Sequence, residues 1–140
     1  MERKIAWNTY SAEDFASIDA ISNEYFAYLD NGKTERECVI ETIEMAEKKG
    51  YRCLETVIAN GEKLNAGDAV YSNCMGKAIM LFKIGKQPLE KGINIVGAHI
   101  DSPRMDLKQN PLYEDTGIAY LDTHYYGGIK KYQWVTLPLA

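Results

Sequence analysis

The chain has 140 residues, 46% of them apolar and 26% charged, and a formal charge of −4. This is enough material for one modest hydrophobic core and lacks the bias of a disordered or fibrous chain. No apolar stretch is long enough for a membrane span or a secretion signal, and no Lys/Arg cluster is dense enough to attract nucleic acid, so neither partner is expected.

The first helix is predicted from Ser11, where Ser11 and Asp14 have the spacing of a capping box and Glu13 and Asp14 favour the positive helix start. Phe15, Ile18, Ile21, Tyr25 and Tyr28/Leu29 recur at steps of three or four as one apolar face, and Asn31-Gly32 ends it. The stretch from Ser11 to Asn31 holds five acidic side chains and no basic one, which predicts a solvated acidic outer face. Thr34 and Glu37 open a second helix with core positions Val39, Ile40, Ile43 and Ala46, stopped by Gly50.

From Tyr51 the pattern changes to strands: Cys53 to Ala59, Ala69 to Asn73 and Lys77 to Ile84, with turns at Asn60-Gly61, Asn65 to Asp68 and Cys74-Met75-Gly76. The run Ala78 to Phe82 has no polar alternation and is expected to be buried on both faces. Ile93 to Ala98 is predicted as a strand that delivers His99 and Asp101 at its carboxyl end, where open α/β sheets place ligands and metals. Beyond Pro103 the texture becomes β-rich: Met105, Leu107 and Leu112 are interrupted by Asn110-Pro111, strands are expected at Gly117 to Leu121 and at Tyr132 to Leu139, and a tight turn at Gly127-Gly128. The apolar run at the end, Tyr132 to Ala140, is read as a strand expecting a partner, so the chain is expected to be the N-terminal part of something longer.

Cys38, Cys53 and Cys74 are odd in number, widely spaced and form no C-x-x-C pair. They fit reduced thiols in a cytoplasmic protein better than a disulfide framework or a zinc knuckle. No phosphate-binding loop, dinucleotide fingerprint or G-x-S-x-G elbow is present. A serine-hydrolase reading of His99, Asp101 and Ser102 fails because neighbours on one strand end cannot adopt the nucleophile–base–orienter geometry.

An H-x-D pair has a physical logic of its own. Residues two apart on a strand project to the same side, so a carboxylate there can hydrogen-bond one imidazole nitrogen while the other binds a metal. On its own, the pair reads first as a structural His–Asp contact. The one other histidine, His124, lies in the Gly/Tyr segment, and nothing in the spacing brings it to His99.

Gly97-Ala-His-Ile-Asp-Ser-Pro-Arg104, Leu107-Lys108, Asn110-Pro-Leu-Tyr-Glu114 and Thr123-His-Tyr-Tyr-Gly-Gly-Ile-Lys-Lys-Tyr-Gln-Trp134 together resemble the aspartyl aminopeptidase (aminopeptidase I) family, bacterial members above all. The resemblance implies a metalloaminopeptidase that removes N-terminal residues, including acidic ones, from peptides by means of a water activated by two zinc ions. It implies His99 as a ligand to one zinc and Asp101 as the catalytic-site aspartate that orients it. It also implies a large homo-oligomer and an α/β fold. In that fold residues 1–106 are the N-terminal part of a zinc-exopeptidase-like catalytic domain, two helices then a mixed sheet, and 107–140 begin a β-rich oligomerisation domain.

The family's bridging aspartate, general-base glutamate, other carboxylate ligands and last histidine lie C-terminal to this region. The 140 residues alone are therefore expected to be inactive. The competing reading is a non-catalytic assembly remnant, with Tyr125, Tyr126, Tyr132 and Trp134 as interface or core aromatics.

Overall fold

The structure is a computed structural model and describes residues 5–135 and 137. It divides into two compact units, Met1–Ile100 and Asp101–Ala140.

In the first unit a short 3₁₀ turn, Ala6–Thr9, leads into helix α1, Ala12–Asn31. The predicted capping box is made: the Ser11 hydroxyl accepts from the Asp14 amide at 3.2 Å, and the Asp14 carboxylate accepts from the Ser11 amide at 2.9 Å. No residue of α1 is buried. Its apolar face is only partly covered, with Tyr28 half-buried and hydrogen-bonded to Thr42, and Ile21 and Tyr25 exposed.

Helix α2, Glu35–Lys48, starts from the second predicted box at Thr34 and Glu37. Its C-terminus closes with the Gly50 amide bonded to the Glu47 carbonyl and the Tyr51 amide to that of Ala46. Val39 and Ala46 are buried as expected, but Ile40 is exposed and Cys38 takes its place inside.

The sheet of this unit has the order β1-β2-β3. Strand β1, Arg52–Cys53, pairs parallel to β2, Ala69–Cys74, which pairs antiparallel to β3, Ala78–Lys83. The hairpin turn is as read from the sequence, with φ of 70° at Gly76. The predicted strand Cys53 to Ala59 is corrected: Leu54–Ala59 is helix α3. Leu54, Val57 and Ile58 have helical spacing, and burying Val57 gives the short helix its anchor. The core lies where α2, α3 and β2 meet, and Val39 and Val70 are its most completely buried side chains. Tyr71 beside them donates its hydroxyl to Glu47 Oε1 at 2.7 Å.

The expectation that Ala78 to Phe82 is buried on both faces also fails within these residues. Met80, Leu81 and Phe82 are exposed: among the described residues α2 is the helix packed against β3, which is also an edge strand with β2 on one side alone.

The second unit is a long antiparallel hairpin, β4 (Arg104–Asp115) with β5 (Ile118–Tyr126). Thr116 and Gly117 form its turn, both at positive φ. The register shifts between Leu107 and Leu112, around Asn110-Pro111, where the missing proline N–H interrupts a ladder. Tyr113 and Tyr120 stack across the strands, ring centroids 5.2 Å apart. The predicted strand from Tyr132 is corrected at its start: Lys131–Trp134 is a helical turn, α4, and residues 136 and 138–140 of that expectation lie outside the described residues. The three cysteines are free thiols, Cys38 buried and Cys74 exposed. Among the described residues no helix is long and apolar enough to cross a membrane.

Candidate metal centre

The stretch expected to carry the site has no regular structure. Residues 92–103 are neither helix nor strand, so the predicted strand Ile93 to Ala98 is not formed. Its apolar side chains face outward, Ile95 at 80% and Val96 at 98% exposure. A strand exists only through hydrogen bonds to a neighbour, and no described residue pairs with this one. His99 sits near the end of this stretch with its side chain exposed.

Asp101 opens the second unit and is half-buried. The hydroxyl of Tyr126, the last residue of β5, donates to Asp101 Oδ2 at 3.1 Å. Tyr126 is itself held: the register places it opposite Arg104, whose guanidinium lies 4.4 Å from the ring centroid. Arg104 Nε in turn donates to Asp106 Oδ1 at 3.0 Å, two residues along the same face. Gly127 follows at φ 72°, and a Cβ there would meet Pro103 at 3.4 Å. The short turn expected at Gly127-Gly128 thus lets the end of β5 lie against the segment that carries Asp101.

His124 lies on β5 opposite Asp106, its Nδ1 3.4 Å from the Tyr125 carbonyl. It borders a shallow recess with Leu107, Lys108, Gln109 and Asn110.

Zinc takes three or four protein ligands. Among the described residues no group of three or more His, Cys, Asp or Glu side chains is gathered as a metal would need. An exposed imidazole with a carboxylate two residues on fits one ligand and its orienter. These residues do not complete a coordination shell.

Tyr126 is the residue that reading the sequence missed. It stood there as one of four equivalent aromatics, and only the strand register distinguishes it.

Compared with known proteins, residues 28–140 match the family described as "Aminopeptidase I zinc metalloprotease (M18)". The chain belongs to the M18 aminopeptidase family. It is 58% identical over 139 residues to a Clostridium acetobutylicum protein named "Probable M18 family aminopeptidase 1", and 45% identical over 139 residues to one of the same name from Thermotoga maritima. The match takes in 99% of this chain in both cases, but only 30% and 29% of those proteins.

Two solved M18 structures have the same fold over nearly the whole chain. Aminopeptidase I from Borrelia burgdorferi B31 superposes with a TM-score of 0.81 at 34% identity, over 96% of this chain and 32% of that one. Aminopeptidase I from Clostridium acetobutylicum does so with 0.76 at 57% identity, over 99% and 30%. The chain therefore spans about 30% of the length of the M18 relatives it matches, as expected of an N-terminal portion.

Proposed function

We propose that the chain is the N-terminal part of a zinc-dependent aminopeptidase that removes N-terminal residues, acidic ones among them, from peptides. The observation that carries this reading is the M18 match over residues 28–140, a range that includes Gly97–Arg104, the segment of the His-x-Asp pair. His99 supplies one metal ligand, and Asp101 fixes the orientation and basicity of that ligand. When bound, a pair of zinc ions supplies Lewis-acid activation of the attacking water. The Tyr126 hydroxyl holds Asp101 through a hydrogen bond to Oδ2.

The remaining ligands and the general base come from outside these 140 residues, which are inactive alone. Residues 1–106 belong to the catalytic domain and 107–140 begin the oligomerisation domain of a large homo-oligomer. The free thiols suit the cytoplasm.

Two measurements test this. In the longer enzyme that carries this chain, His99→Ala should abolish cleavage of N-terminal Asp, Glu or Leu substrates while the fold survives; unchanged turnover would remove His99 as a ligand. Metal analysis of the 140-residue chain should find no stoichiometric zinc, and two tightly bound ions per chain would refute the incomplete site.

A further inference from the structure

We infer that Tyr126 is a positioning residue for the metal site, acting through Asp101. The inference rests on the proposed role of Asp101 as orienter of His99 and adds a residue that the role does not require. A carboxylate that directs an imidazole must itself be kept from rotating. Here a phenol donor engages Oδ2 at 3.1 Å, which restrains rotation of the carboxylate.

The donor is built into the sheet. Tyr126 ends β5, its cross-strand partner Arg104 lies over its ring at 4.4 Å, and Asp106 holds Arg104 through a 3.0 Å hydrogen bond. A cation over an aromatic face and a charge-assisted hydrogen bond are each directional, so the phenol oxygen is presented with little freedom. The four residues form a relay from the hairpin ladder to the carboxylate: Asp106, Arg104, Tyr126, Asp101. Because the chain runs Asp101-Ser102-Pro103-Arg104 into β4, both ends of the Tyr126–Asp101 bond are anchored in the same hairpin.

A phenol that merely latched the hairpin would matter for stability alone. A positioning phenol affects the metal and the chemistry instead, since partners of this kind typically contribute 10- to 100-fold in metal affinity or activity.

The test is Tyr126→Phe in the longer, zinc-loaded enzyme, a change that keeps the ring beneath Arg104 and removes one oxygen. Expected are a kcat about tenfold lower with KM within about twofold, and zinc held about tenfold less tightly against a competing chelator. Far-UV circular dichroism should be unchanged. Adding Tyr126→Phe to Asp101→Ala should cost nothing further, because the hydroxyl then has nothing to position.

Wild-type kcat and zinc affinity in Tyr126→Phe, with Asp101→Ala impaired, would overturn the inference and leave the role of Asp101 standing. A Tyr126→Phe loss that persists in full on top of Asp101→Ala would overturn it as well. Should Asp101→Ala itself keep wild-type turnover and zinc affinity, the reading beneath would fall instead.

Discussion

Two apolar stretches of the first unit have opposite fates. Val70 on β2 is 1% exposed, whereas Val96 in the irregular stretch before His99 is 98% exposed. Both lie in runs that read as buried strand, and both have the residue types for it. The difference is one of partners: β2 has β1 on one side, β3 on the other and α2 and α3 near it, while Ile93 to Ala98 has no described strand beside it. Hydrophobicity in a sequence thus records a demand for cover, and the structure shows where these residues meet that demand among themselves.

Three measurements on urea unfolding of the chain, followed by circular dichroism, sharpen or break the contrast. The largest effect is expected from Val70→Ala, which removes two buried methyl-sized groups and should cost about 2 kcal/mol. A loss below about 0.5 kcal/mol would mean that the core at α2, α3 and β2 is looser than its burial implies.

Next is pH. The bond to Glu47 and then burial push the Tyr71 phenol up to about 12, against 10.0 for the free side chain. A raised pKa means the folded state favours the protonated phenol, so its stabilisation is complete below pH 10. It should be lost as pH rises from about 10 to about 12. Tyr71→Phe should flatten that decline, and an unaltered alkaline slope would refute the assignment. Smallest is Val96→Ala, expected within about 0.5 kcal/mol of no effect because there is almost nothing to uncover. A cost comparable to that of Val70→Ala would show that residues 93–98 are packed.

Legibility in the sequence follows the same division. Local signals were readable. Both capping boxes, the Gly50 stop and the turn of the β2–β3 hairpin depend on residues within five of one another, and all are present. Leu54–Ala59 differs from the strand expected there because six residues carry too little periodicity to tell strand from helix, and the burial of Val57 decides it.

Non-local facts were not readable. Counted back from the Thr116-Gly117 turn without interruption, Arg104 would face Ile129, yet the irregularity between Leu107 and Leu112 brings it opposite Tyr126. Asn110-Pro111 announces such a break but not its size. The candidate site shows the same limit. His99 and Asp101 stand out from their spacing and family resemblance, while Tyr126 emerges only once the register is known.

The close approach of Gly127 to Pro103 has a mechanical consequence. With Pro103 packed 3.4 Å from where a Cβ would stand, the base of the hairpin works as a clasp that closes on the two residues before it. A side chain at 127 would have to wedge that clasp open while also occupying a backbone conformation that L residues rarely adopt. The lever arm is short: one residue, Ser102, stands between Pro103 and Asp101, so a shift at the clasp is felt close to the carboxylate. The hairpin is thereby the surveyor's benchmark from which the aspartate takes its bearing.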